Sequence, residues 1–166
     1  IIVGVIVFAI YRMGVGFYNT AVDLEQNSKT AWSNVESAYQ RRADLIPNLV
    51  STVKGYAAHE KETLEGVIKA RAEATKTTID PANITPENMA AFQKAQEGLS
   101  GALSRLLVTV ERYPELKANQ NFLELQSQLE GTENRIKEER DNFNAAVQGY
   151  NTLIVTFPNS LIASFS

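Results

Sequence analysis

The sequence predicts an all-α protein: an N-terminal transmembrane helix continuing into a long antiparallel helical bundle. Three observations lead there. The chain opens on an apolar run, apolar residues then recur at three-, four- and seven-residue steps, and the five prolines stand at a few punctuation points. With 166 residues, 44% apolar and 21% charged, the chain is long enough for one domain with a sizeable core.

Residues 1–11 (IIVGVIVFAIY) are apolar, and Arg12 separates them from a weaker apolar piece, 13–18. A spanning helix needs roughly 20 apolar residues, so the anchor is expected to continue upstream of Ile1. Arg12 can snorkel to headgroups, and Tyr11, Phe17 and Tyr18 suit an interfacial aromatic belt. A secretory signal and a buried core helix are the competing readings; no small-x-small cleavage site closes the run. Residues 1–18 are therefore assigned to the anchor, 19–158 to the bundle and 159–166 to a C-terminal tail. A single-pass position in the cell membrane follows, with the side of the bundle left open.

From about 19 to 76 no Gly-Pro cluster interrupts the helical pattern. Trp32, Tyr39, Ile46, Val53 and Val67 follow a seven-residue repeat, with Val35, Leu49, Tyr56 and Leu64 in the steps between. Pro47 lacks an amide hydrogen and crowds the carbonyl four residues earlier, so a kink is expected there. Residues 75–85 read as a loop. Thr85-Pro86-Glu87 then supplies a capping hydroxyl, a first-turn proline and an acid at the positive dipole end. A second helix carries Phe92, Leu99, Leu103, Leu106 and Val110 to about Tyr113, where Pro114 stops it. Asn119 or Asn121 can cap a third, with Phe122, Leu129, Ile136, Phe143, Tyr150 and Phe157 seven apart and coiled-coil-like packing. Pro158 ends it.

These lengths give three long helices, the first kinked. The second ends beside residue 50 of the first, and the third then runs parallel to the first, so the 113–119 linker should lie beside the 41–48 kink. The seam of Trp32, Val35 and Tyr39 projects past that packing and is expected to be buried by a fold-back or by self-association.

The chemical inventory is sparse. Net charge is −3, which argues against a nucleic-acid footprint. No cysteine excludes disulfides, thiolate metal sites and a lipidated cysteine. Arg42 falls on the apolar seam, where the ordinary reading is a packed stem whose head reaches a carboxylate or carbonyl, Asp44 or the 111–115 region. The sharper reading is an anionic lipid headgroup at the kink. His59-Glu60 lacks the second histidine of a zinc helix. Glu60 also sits on the seam, where the predicted alignment pairs it with Arg140, beside Glu133 and Glu139. Asn48, Asn119, Asn144 and Asn151 read as caps or inter-helix hydrogen-bonding residues. No cofactor, metal or catalytic set is expected.

At this point the residues carry a resemblance. Arg41-Arg42-Ala43-Asp44-Leu45-Ile46-Pro47-Asn48-Leu49-Val50, then Val53-Lys54-Gly55-Tyr56-Ala57 and His59-Glu60, is similar to the signature of the LemA family of bacterial membrane-anchored proteins. Three further blocks agree: Glu111-x-Tyr113-Pro114-x-Leu116-Lys117-Ala118-Asn119; Leu129 to Ile136 with Arg140; and Asn144-x-x-Val147-x-x-Tyr150-Asn151. Phe143 departs, since the family more often has Tyr there. The resemblance implies an N-terminal transmembrane helix, a bundle usually described as four-helix, and no firmly assigned activity. The functions that follow are a non-enzymatic, membrane-anchored scaffold that self-associates as a homo-oligomer through Trp32, Val35 and Tyr39, or a tethered adaptor for another membrane or envelope protein. The structural and interaction candidates are Arg41, Arg42, Asp44, Pro47, Asn48, Glu60, Tyr113, Pro114, Asn119, Glu133, Arg140 and Asn151, with Arg41 and Asp44 as the surface on which an adaptor would depend.

Overall fold

The structure, a computed structural model, describes residues 2–156 and 159–163, so the expectations for Phe157 and Pro158 lie outside the described residues. It is all-helical: α1 Ile2–Tyr56, α2 Lys61–Lys76, α3 Pro86–Val110, α4 Pro114–Lys117, α5 Gln120–Val155 and α6 Asn159–Ala163. The chain divides into two compact units, Val35–Glu138 and the two ends, Ile1–Asn34 with Glu139–Ser166. Helices α1 and α5 each contribute to both.

In the Val35–Glu138 unit the core is the apolar repeat of four helices. Ile46, Leu49 and Val53 of α1 are buried with Leu64 and Val67 of α2, Leu99, Leu103 and Leu106 of α3, and Phe122, Leu125 and Leu129 of α5. Most of these positions are legible from the seven-residue spacing alone.

Two expectations are corrected here. The first helix does not run on to residue 76. It ends at Tyr56, and residues 57–60 reverse the chain, so four long helices form the core rather than three. No proline or positive-φ glycine causes this. Glu60 places a polar side chain on the apolar seam, and the turn closes through Ala57 N donating to the Val53 carbonyl (2.8 Å) and Glu60 N to that of Ala57 (3.1 Å). Ala57, fully buried, lets the reversal sit tight against the core.

With that extra reversal, α5 runs antiparallel to α1, not parallel. Tyr56 meets Asn119 and Arg42 meets Glu133, so equal steps back along α1 answer equal steps forward along α5. The 113–119 linker accordingly sits beside the 57–60 turn, away from residues 41–48.

Helix α1 continues through Pro47. Proline at this position leaves the carbonyl of Ala43 without its intrahelical donor. Arg71 of α2 supplies one, its Nε donating to the Ala43 oxygen at 2.8 Å. At α3 the predicted start is in place: Thr85 caps through a reciprocal pair with Asn88 (Asn88 N to Thr85 Oγ1, 3.2 Å; Thr85 N to Asn88 Oδ1, 2.8 Å), with Pro86 in the first turn. Asn119 caps α5, accepting from Phe122 N at 3.1 Å.

In the unit formed by the two ends, Trp32 of α1 packs edge-on against Phe143 of α5, ring centroids 5.2 Å apart. Further along, Leu24 Cδ2 stands 3.9 Å from where a Cβ at Gly149 would lie. Before this pairing α1 is apolar and exposed on most of its circumference, from Ile2 to Val15 and again at Tyr18, while Phe17 is buried.

Candidate functional site

The most concentrated polar chemistry lies around Arg42, whose side chain is fully buried in the Val35–Glu138 unit. A lone guanidinium there would be expensive to desolvate, so its donors need partners. Nη1 donates to Ser100 Oγ (2.8 Å) and to Glu133 Oε1 (2.9 Å), while Nη2 donates to Gln96 Oε1 (2.8 Å) and to the Gln96 carbonyl (3.1 Å). The Tyr39 ring lies 5.1 Å from the guanidinium carbon and itself packs on Phe92. Gln96 Nε2 passes the chain of bonds on to the Ala74 carbonyl at 3.2 Å. One cation thus ties α1 to α3 and α5 directly and to α2 through a glutamine. Its Nε, buried, has no hydrogen-bond partner among the described residues. The packed-arginine reading holds in kind, but the partners are Glu133, Gln96 and Ser100 instead of Asp44 or residues 111–115. A buried guanidinium is also unsuited to a lipid headgroup.

A second polar cluster closes the turn end of the same unit. Glu60 Oε1 accepts from Arg112 Nη2 at 2.8 Å and from the Tyr113 hydroxyl at 2.7 Å. The Tyr113 oxygen lies 2.6 Å from His59 Nε2. Since the single phenolic proton goes to the carboxylate, His59 must carry its proton on Nε2 and donate to the phenol oxygen. That hydrogen bond to Glu60, together with desolvation and the nearby carboxylate charge, raises the Tyr113 pKa above 10.0, while Arg112 opposes the shift. Asn119 Nδ2 donates to the Tyr56 hydroxyl at 2.9 Å. The predicted Glu60–Arg140 pair is corrected: Glu60 is held by Arg112 and Tyr113, and Arg140 is exposed on α5. The 57–60 reversal places Glu60 at the opposite end of α5 from where a continuous helix would have put it.

Between α3 and α5 a groove of about 540 Å³ opens to solvent. Leu103, Leu107 and Leu129 contribute apolar wall, and Glu130, Glu133 and Asn134 the polar side. Glu133, half exposed, faces the groove while it binds Arg42.

The remaining predicted positions disperse. Arg41, Asp44, Pro47 and Asn48 are exposed on α1; Asp44 accepts from Gln40 Nε2 at 2.7 Å, and Asn48 lines a smaller recess between α1 and α5. Pro114 begins α4, and Asn151 is exposed on α5. The self-association seam is corrected as well. Trp32, Val35 and Tyr39 are 2%, 1% and 8% exposed, covered by the chain itself: Trp32 packs on Phe143 of α5 and Tyr39 on Phe92 of α3. Sequence reasoning missed Gln96, Ser100, Arg71 and Arg112. The carbonyl freed by Pro47 was a signal that a donor such as Arg71 was required; nothing local pointed to the other three.

Taken together, the helices define a class: an all-α protein with a four-helix core and one N-terminal helix long and apolar enough to cross a bilayer. The chain belongs to the LemA family, whose sequence model matches residues 31–166. It is 28% identical to magnetosome protein MamQ 2 of Paramagnetospirillum magneticum over 88% of its own length, and 29% identical to magnetosome protein MamQ of Magnetospirillum gryphiswaldense over the same share. In both cases it spans 60% of the relative's length. Protein LemA of Metamycoplasma hominis is 25% identical over 92% of the chain and 66% of that relative.

Proposed function

We propose that this chain is a non-enzymatic, single-pass membrane tether whose bundle holds a binding surface for another envelope or membrane protein. The observation that carries this is how the polar groups are used. The buried arginine and its partners join four helices, the Glu60 cluster ties the 57–60 turn to the 112–113 turn, and a groove between α3 and α5 is left open to solvent. A rigid frame with a solvent-open groove suits recognition, and membrane-bound adaptors need both a tether and such a face. Self-association remains a second reading through surfaces other than Trp32–Tyr39.

A photo-crosslinking residue at Ser104, on the groove, tests the proposal in native membranes. The adaptor reading expects an adduct with one different membrane or envelope protein, lost when the probe moves to exposed Ile68 on α2. A homodimer adduct would replace it with self-association, and no adduct from any groove position would overturn the groove as a binding face.

A further inference from the structure

We propose that the C-terminal end of α5 makes a second contact with the bilayer, at the level where the anchor helix leaves it. This rests on the tether reading above and adds the lipid surface as the partner of a specific segment.

Three observations carry it. First, residues 142–166 contain no charged side chain, and at the end of α5 Leu153, Ile154 and Val155 supply apolar groups and Tyr150 an amphipathic ring. An uncharged stretch of this length is unusual for water-facing helix and incurs no charge desolvation at the edge of an apolar layer. Second, the end unit fixes where that segment goes. Trp32 packs on Phe143, and Leu24 Cδ2 faces the position a Cβ at Gly149 would take, an antiparallel pairing that advances toward the N-terminus of α1 as α5 advances toward its own end. Continued at 1.5 Å per residue, the pairing brings Val155 level with about residues 18–20 of α1. That is where the apolar, all-round exposed part of α1 stops and where Tyr18 stands 65% exposed. Third, Val155 at the end of α5 is itself 71% exposed, and Leu153 and Ile154 beside it are only partly buried.

The same level of α1 is uncharged between Arg12 and Asp23. Two uncharged segments meeting at one height next to a membrane-length helix describe an interface with lipid, continuous with the anchor, rather than a patch awaiting a protein.

The chain has no cysteine, so single labelling sites are available. NBD attached at V155C, I6C or V108C in the full chain, reconstituted in phosphatidylcholine vesicles, reads lipid contact by quenching from nitroxide lipids labelled near the glycerol end of the acyl chain. All three native side chains are exposed, so labelling leaves the packing intact. Quenching at V155C should exceed that at V108C by about threefold or more, with I6C also quenched. If I6C is quenched while V155C matches V108C, the second contact is overturned and the tether stands. If I6C is not quenched, the tether reading fails and the second contact with it.

Discussion

Arg42 carries more of the structure than any other residue, and its sequence position already marked it as anomalous. A charged side chain on an apolar repeat must find partners, and removing it strands them. Arg42→Ala should lower the free energy of unfolding by about 3–5 kcal/mol, read from the urea midpoint of the full chain in detergent. Glu133→Gln should cost about 1 kcal/mol, because that carboxylate is half exposed and water can replace it. Equal losses would contradict the unequal burial. Tyr113 gives a pH test. Its raised pKa means the fold favours the neutral phenol, so its contribution is present below the unfolded value near 10.0 and is lost as pH rises through the folded value. In absorbance titration, Tyr113→Phe should remove a tyrosine step lying above 10.0, and Glu60→Gln should move that step back down. An unchanged profile in Glu60→Gln would remove Glu60 as the cause.

At the scale of the element, the outcome depended on whether the cause was local. The start of α3 was legible because Thr85, Pro86 and Glu87 act on their own helix end; Thr85→Ala should cost about 1 kcal/mol in the same urea series. Most apolar faces of α3 and α5 were legible because period alone determines them. The reversal at 57–60 was not, because its determinants are distant: Arg112 and Tyr113 hold Glu60 from the far end of α3. The one local hint was Glu60 interrupting the seam between Val53 and Val67. Pro47 shows the converse, a local signal with a distant consequence. Arg71→Met should cost about 1–3 kcal/mol while Pro47 is present, since the Ala43 carbonyl loses its donor. In a Pro47→Ala background the helix restores that bond, and the cost should shrink. A double-mutant cycle in which the two changes add independently would refute the link.

For the whole molecule, one missed turn changed the topology. Counting 19–76 as one helix made α5 parallel to α1, left Trp32 uncovered and suggested a homo-oligomeric seam. With the turn restored, α5 returns antiparallel, and Trp32, Val35 and Tyr39 are buried within the chain, Trp32 against Phe143 of α5 and Tyr39 against Phe92 of α3. The family and the all-α class survived that error because they rest on local blocks and periodicity, whereas the candidate interface rested on the helix count. Arg41, Asp44 and Asn151 stay exposed on the helix surfaces, and the groove between α3 and α5 is open to solvent.

The most direct measurement is the composition of the particle that contains this chain when it is excised from its native membrane in polymer-bounded nanodiscs and weighed by native mass spectrometry. A tethered adaptor predicts one copy of the chain with a different protein, the association weakened by a bulky change in the groove such as Ser104→Trp. A particle holding only this chain, single or multiple and unaffected by that change, would contradict it.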